Sequence, residues 1–132
     1  MSISETTDFD RWLGELHSRA GDFTALIVLV DVAGTRVSPL CSTYVHVIGT
    51  EVDWNELTIM FAGSGQNWNG AAFFPTQGRN GGPTDNPTAR LRLRELEAKV
   101  GEDRMTLNKG EFFDAFGRRI RIDPLVAAGP MA

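Results

Sequence analysis

Phe23-Thr-Ala-Leu-Ile-Val-Leu-Val-Asp-Val32 contains the longest apolar run of this chain, from Ala25 to Val30. The run is continuous rather than alternating, a pattern typical of strands that are covered on both faces. Its β-branched side chains also favour a strand over a helix. We therefore expect Phe23 to Val32 to form a strand in the middle of a sheet, with other elements packed on both of its faces.

Further strands are predicted on the C-terminal side of this segment. Val37 to Ile48 predicts a second strand that is irregular at Pro39, because proline cannot donate to a β-ladder. Glu56 to Ala62 is predicted as a third strand. Ala71 to Phe74 is predicted to return as a fourth strand, which would make Gly63 to Gly70 the loop of a hairpin.

Two helices are predicted on either side of these strands. In residues 7–20, Thr7 is a suitable N-cap, and four apolar side chains recur at helical spacing, namely Phe9, Trp12, Leu13 and Leu16. In residues 86–100, Pro87 near the start and Gly101 beyond the end are typical helix boundaries. The alternating sequence from Ala89 to Arg94 leaves a strand as the alternative for this segment.

The C-terminal part of the chain is predicted to contain short strands. Met105 to Leu107 is one of them, and Glu111 to Phe116 with Arg118 to Ile122 would form a hairpin around Gly117. The tail, residues 124–132, is expected to be loosely ordered. The predicted fold class is α+β in a single domain of residues 1–132. It has an N-terminal helix, a mainly antiparallel sheet of about five strands, a second helix near 86–100 and a C-terminal β-hairpin.

Composition limits the classes of protein to which the chain can belong. Its 132 residues are 42% hydrophobic and 23% charged, a composition typical of one globular domain. The single cysteine, Cys41, cannot form an internal disulfide. The start of the chain lacks the pattern of a signal peptide, and the longest apolar run is too short to span a bilayer. We therefore expect a cytoplasmic protein that does not associate with membranes.

Charge bears on the expected partners. The net charge is −4, which makes nucleic acid an unlikely partner class. The charge is unevenly distributed, with −6 on residues 1–87 and +2 on residues 88–132. A head-to-tail or self-complementary contact, and thus a homo-oligomer, is one interpretation of this asymmetry. Ordinary variation of surface charge is the alternative.

The segment from Gly63 to Asn86 is the best candidate for a binding site. Compact domains seldom contain so long an irregular stretch unless it binds a partner or is disordered, and large apolar side chains argue against disorder. Amides and an indole together can recognise a sugar, an amide or a peptide backbone. The expected ligand-binding residues are Gln66, Asn67, Trp68, Asn69, Phe73 and Phe74. The alternative is a loop folded on itself, with Trp68 as its plug.

Motifs that would indicate an enzyme are incomplete. Gly65-Gln-Asn-Trp-Asn-Gly70 has the glycine spacing of a phosphate-binding loop, but Ala71 and Ala72 stand where Lys and Ser or Thr are required. No His or Cys pair has metal-ligand spacing, and we expect neither a metal nor a cofactor. The candidates for a catalytic role are His46, Tyr44 and Asp31.

The sequence thus predicts a small, non-catalytic ligand-binding or protein-interaction module that uses the Gly63–Asn86 loop. The alternative is a small cofactor-free enzyme of the hydrolase or isomerase type, with its pocket between the sheet and that loop. The identity of the small-molecule or protein partner is left open by the sequence.

Overall fold

A computed structural model describes residues 6–34 and 36–121 of the chain. Four strands in this part of the chain form one antiparallel sheet, in the order β2-β1-β3-β4. Three α-helices and one 3-10 helix pack against it. In chain order the elements are α1 (Asp8–Ala20), β1 (Phe23–Ala33), β2 (Arg36–Val47), α2 (Trp54–Ala62), β3 (Gly70–Thr76), α3 (Asn86–Glu102), the 3-10 helix (Arg104–Lys109) and β4 (Glu111–Asp114).

The strand β1 lies inside the sheet, between β2 and β3, as its apolar sequence predicts. Every residue from Phe23 to Val30 is buried, so both faces of the strand are covered. The predicted irregularity of β2 near Pro39 is also confirmed. Leu29 pairs with Cys41 and Val30 with Pro39, which leaves Leu40 as an extra residue in a β-bulge.

The backbone groups of β1 alternate between its two neighbours. The carbonyl of Val30 accepts from the N–H of Asn69, just before β3, so even-numbered residues of β1 direct their backbone groups toward β3. Odd-numbered residues therefore bond to β2. Pro39 of β2 pairs with Val30 of β1, and Pro75 of β3 pairs with Ala25 of β1. In this pattern neither pair exchanges hydrogen bonds. Neither proline therefore removes a bond from the ladder.

The helices cover the two faces of the sheet with separate sets of apolar side chains. On one face, α1 and α2 contribute Phe9, Leu13, Trp54, Leu57 and Phe61, which pack on the odd-numbered residues of β1 and on Phe73 and Phe113. On the other face, α3 and the 3-10 helix contribute Leu96, Val100 and Leu107, which pack on even-numbered residues of β1 and on Phe112.

Both predicted helices are confirmed, with both ends of α1 and the start of α3 as predicted, but α3 continues through Gly101, the predicted stop, and ends at Glu102. The hydroxyl oxygen of Thr7 accepts from the N–H of Asp10 at 3.0 Å, and Gly21 ends α1 with a φ of 79°. The carboxylate of Asp85 accepts from the N–H of Thr88 at 2.7 Å, so residues 86–100 are helical and the strand alternative is wrong. No helix within residues 6–34 and 36–121 is long and apolar enough to cross a membrane.

The third predicted strand, Glu56 to Ala62, is wrong, because this segment belongs to α2. Its helix begins at the N-cap Asp53, whose carboxylate accepts from the N–H of Glu56 at 2.8 Å. Trp54, Leu57 and Phe61 are buried at i, i+3 and i+7 spacing. The fourth predicted strand does form, as β3, but it pairs with β1 and β4 and makes no hairpin with residues 56–62.

The C-terminal part also differs from the prediction. Met105 to Leu107 lies in the 3-10 helix rather than in a strand, and Asp103 caps its start by accepting from the N–H of Met105. The described residues form four strands rather than about five. The C-terminal hairpin is not confirmed, since beyond Gly117 one bridge between Phe113 and Arg119 is formed. The tail, residues 124–132, lies outside the described residues.

Candidate functional site

The last part of α2 and the chain that follows it form a stretch of sequence without charged residues. No Asp, Glu, Lys or Arg occurs between Glu56 and Arg79. Two large apolar side chains of this segment point away from the core, since Ile59 is 72% exposed and Met60 is 40% exposed. Ala62 and every residue from Gly63 to Asn67 are exposed as well. We call Ile59, Met60, Ala62 and Gly63–Asn67 the α2 surface.

Local hydrogen bonds fix the chain that follows α2. The N–H of Gly63 donates to the carbonyls of Ile59 and Met60, and the N–H of Gly65 donates to that of Ala62. The hydroxyl of Ser64 donates to a helix carbonyl at 2.7 Å and accepts from the N–H of Gln66 at 3.1 Å. Gly65 has a φ of 75°, a conformation that other residues rarely adopt. The loop is therefore held against the helix end.

Trp68 connects this loop to the core. Its ring meets that of Phe61 edge-on, with centroids 5.1 Å apart, and that of Trp54 edge-on at 6.1 Å. The indole is partly buried and packs against the core cluster beneath α1 and α2. Trp68 thus lies directly behind the α2 surface, with part of its ring accessible to solvent.

Asn69 extends the sheet through its side chain. Its Oδ1 accepts from the N–H of Val32 at 2.6 Å, and its Nδ2 donates to the carbonyl of Val32 at 2.9 Å. Its own N–H donates to the carbonyl of Val30 at 3.0 Å. The side-chain amide therefore bonds to β1 as a further peptide group of β3 would. Both of its polar atoms, Oδ1 and Nδ2, bond to the backbone of Val32.

The remaining predicted ligand-binding residues divide between different environments. Gln66 and Asn67 are exposed on the α2 surface. Phe73 is 1% exposed, in the core beneath α1 and α2. Phe74 lies on the opposite face of the sheet, partly buried beside α3. The structure therefore brings together only part of the predicted ligand-binding residues. Gln66, Asn67 and Trp68 are near one another, whereas Phe73 and Phe74 pack on the two faces of the sheet.

The catalytic candidates lie apart from one another. His46 and Tyr44 stand on β2, on the face that α3 covers, with their ring centroids 5.6 Å apart. Asp31 is near the far end of β1, where it pairs with Ser38. Asp31 lies between Val30 and Val32, the two residues to which Asn69 bonds, so it is beside the end of the loop. His46 and Tyr44, by contrast, are on the opposite face of the sheet from Trp68. The three candidates therefore do not converge on one site.

The imidazole of His46 is held at both nitrogens. Nδ1 lies 2.8 Å from the hydroxyl of Thr24, and Nε2 lies 2.9 Å from Oδ1 of Asn86 at the start of α3. An amide oxygen accepts only, so Nε2 donates to it, and in the neutral ring Nδ1 accepts from Thr24. Thr24 in turn accepts from the N–H of Thr84 at 3.0 Å. His46 thus ties two strands to the segment that precedes α3.

Three cavities lie away from the α2 surface. One of about 230 Å³ lies between β2 and α3, beside Pro39, Leu40 and Glu97. One of about 350 Å³ separates α1 from residues 49–53. One of about 440 Å³ lies between Thr6–Asp8 and the turn at Phe116. None of these three contains Trp68, His46 or Tyr44.

The exposed groups near Trp68 are of kinds that can recognise a partner. The α2 surface presents apolar side chains next to the amides of Gln66 and Asn67, which can donate and accept hydrogen bonds. Among the described residues, no group of His, Cys, Asp and Glu side chains could hold a metal ion. The sequence did not predict the α2 surface, because residues 56–62 resemble a strand; the spacing of Trp54, Leu57 and Phe61 is the signal that indicates a helix there. Comparisons of this chain with known protein families, with characterised proteins and with solved structures gave no match.

Proposed function

We propose that this chain is a non-catalytic protein-interaction module and that the α2 surface is its contact surface. The observation that supports the proposal most directly is the exposure of Ile59, 72%, within a segment that carries no charge from Leu57 to Gly78. Centres of protein interfaces are depleted in charged residues, and apolar side chains there supply much of the binding energy.

The shape of the surface favours a protein partner over a small molecule. Small ligands bind in concave pockets, whereas Ile59 and Met60 project outward from a helix. An exposed apolar helix face can enter a groove that the partner supplies. Gln66 and Asn67 would then bond polar groups at the rim of that groove.

The hydrogen bonds behind the surface also support the proposal. A loop that is ordered before association loses less conformational entropy when it binds. The bonds of Gly63, Gly65 and Ser64 to α2 order the loop, and Trp68 fixes it to the core. In this proposal Trp68 presents the accessible part of its ring at the edge of the contact.

Two matched charge substitutions test the proposal. Ile59→Glu places a carboxylate on the α2 surface, and Leu91→Glu places one at an exposed apolar site on α3, where Leu91 is 54% exposed. Proteins captured from an extract of the source cell by the unaltered chain are identified, purified and titrated against both variants. We expect Ile59→Glu to weaken the dissociation constant by tenfold or more, about 1.4 kcal/mol, and Leu91→Glu to leave it unchanged. Equal effects of the two substitutions, or none from Ile59→Glu, would refute the assignment of the surface.

A further inference from the structure

The two edges of the sheet are protected to different extents. The edge strand β4 has four residues, with Glu111 and Asp114 at its ends. Two of its outward backbone groups are occupied, because the N–H of Asp114 donates to the carbonyl of Arg118 and the carbonyl of Phe112 accepts from the N–H of Ile120, both at 2.8 Å. Short length, charge and coverage are the usual means by which proteins prevent pairing at a sheet edge.

The opposite edge strand, β2, lacks these features. It has 12 residues, and no strand among the described residues pairs with its outer side. No Asp, Glu, Lys or Arg occurs from Val37 to Val47. Pro39 and the bulge at Leu40 interrupt only the first part. From Cys41 to Val47 the strand is regular, without Pro or Gly and with three β-branched side chains, which are the properties of a segment that readily pairs with another strand.

The ladder determines which groups of β2 are free. Odd-numbered residues of β1 bond to β2, and they face Cys41, Thr43, Val45 and Val47. The N–H and C=O groups of the intervening residues, Ser42, Tyr44 and His46, therefore point away from the sheet. Their spacing of two residues is the spacing needed for a regular antiparallel ladder with a further strand.

We propose that β2 pairs with β2 of a second copy of this chain, antiparallel, to form a dimer with one continuous eight-stranded sheet. This interface goes beyond the proposed function and uses a different surface. A two-fold axis at Tyr44 places Ser42 opposite His46 of the second copy and aligns all three outward residues. About six N–H···O bonds then form, two for each pair. A two-fold contact of this kind is self-complementary and closes at a dimer.

Side chains on the α3 face favour the same register. The hydroxyl of Ser42 donates to Oε2 of Glu97 on α3. Opposite residues of an antiparallel pair have Cβ atoms about 5 Å apart on the same face. The carboxylate of Glu97 would therefore lie beside the imidazole of His46 of the second copy, on both sides of the axis. The register thus brings a carboxylate to a basic ring and places no two like charges directly opposite on β2.

Sedimentation equilibrium over a wide concentration range, with matched variants, tests this proposal. We expect the mass to approach twice 14.5 kDa as concentration rises. Ser42→Pro removes an outward N–H without removing a bond to β1, just as Pro39 does, whereas Ser42→Ala keeps that N–H. We expect Ser42→Pro to raise the dissociation constant at least about tenfold, since two hydrogen bonds are lost per dimer, and Ser42→Ala to raise it much less. A monomer at every concentration, or equal effects of the two variants, would overturn the proposal.

Hydrogen exchange of the unaltered chain gives a second readout that does not require either variant to fold. The amides of Ser42, Tyr44 and His46 should exchange more slowly as concentration rises. Those of Thr43 and Val45, which already bond to β1, should be protected at all concentrations. A dimer in which the three outward amides exchange as fast as in the monomer would show that another surface pairs.

Discussion

Replacing Trp68 with alanine measures how far this residue supports the loop and how far it contributes to binding. The indole is partly buried and meets the rings of Phe61 and Trp54 edge-on, at 5.1 and 6.1 Å. A fully buried aromatic side chain removes about 150–250 Å² from water, so a partly buried one removes about 100 Å², which corresponds to about 2.5 kcal/mol. Each ring pair adds about 0.5–1.5 kcal/mol. Relaxation of the loop recovers part of this sum, and we expect Trp68→Ala to lower the free energy of unfolding by about 2–4 kcal/mol.

A domain with about 5–15 kcal/mol of stability can remain folded after such a loss, so binding can be measured on the same variant. Urea unfolding followed by circular dichroism gives the stability, and titration with the captured partner gives the affinity. We expect the dissociation constant to rise at least about thirtyfold, which corresponds to about 2 kcal/mol for an aromatic anchor. Trp68→Phe, which keeps a ring against Phe61, should recover most of the stability. If Trp68→Ala unfolds readily while its folded fraction binds with unchanged affinity, Trp68 supports only the loop, and its place in the contact surface is refuted.

Substitutions at three further positions test the fold. Trp12→Ala should cost about 3–5 kcal/mol in urea unfolding, because the indole packs on three core rings at 5.7–6.1 Å; a loss below about 1 kcal/mol would show that α1 is peripheral. Asn69→Ala should cost about 1–2 kcal/mol for its two bonds to Val32. Asn69→Asp should restore only part of this loss, since a carboxylate accepts from the N–H of Val32 but cannot donate to its carbonyl. The N–H of Gly49, and then the side chain of His17, lower the pKa of Asp22 from its ordinary 3.8. Asp22 therefore binds more protons in the unfolded state than in the native state as pH falls below about 4, which lowers the free energy of unfolding. Measured from about pH 5 downward, this free energy should fall less steeply in Asp22→Asn than in the unaltered chain. Equal slopes would contradict this explanation.

Much of the fold could be predicted because its signals are local. The side chain of Thr7 caps α1, Gly21 ends it, and Asp85 with Pro87 starts α3. The continuous apolar run of β1 indicates a strand covered on both faces whatever its neighbours are. Such features depend on a few adjacent residues, so the sequence alone determines them.

The helix α2 could not be recognised as easily. Its apolar side chains are dense enough to suggest a strand, and the window from Glu56 to Ala62 omits the N-cap Asp53 and the buried Trp54. A helix of nine residues is marginal in isolation and depends on tertiary packing. The error propagated to the site, because the α2 surface exists only when residues 54–62 are helical. Sequence reasoning selected Gln66, Asn67 and Trp68 but missed Ile59 and Met60, which lie on the same surface.

The sheet order has a consequence for the rate and yield of folding. In β1 and β2, Ala33 pairs with Arg36, three positions away, whereas Val30 of β1 pairs with Gly70 of β3, 40 positions away. The free-energy cost of closing the longer loop, which comes from lost chain entropy, is about 2 kcal/mol greater than that of closing a hairpin of a few residues. We therefore expect the β1–β2 hairpin to form early and the docking of β3 to limit the folding rate. During that interval the inner edge of β1 is open to other chains, so refolding yield should fall as protein concentration rises.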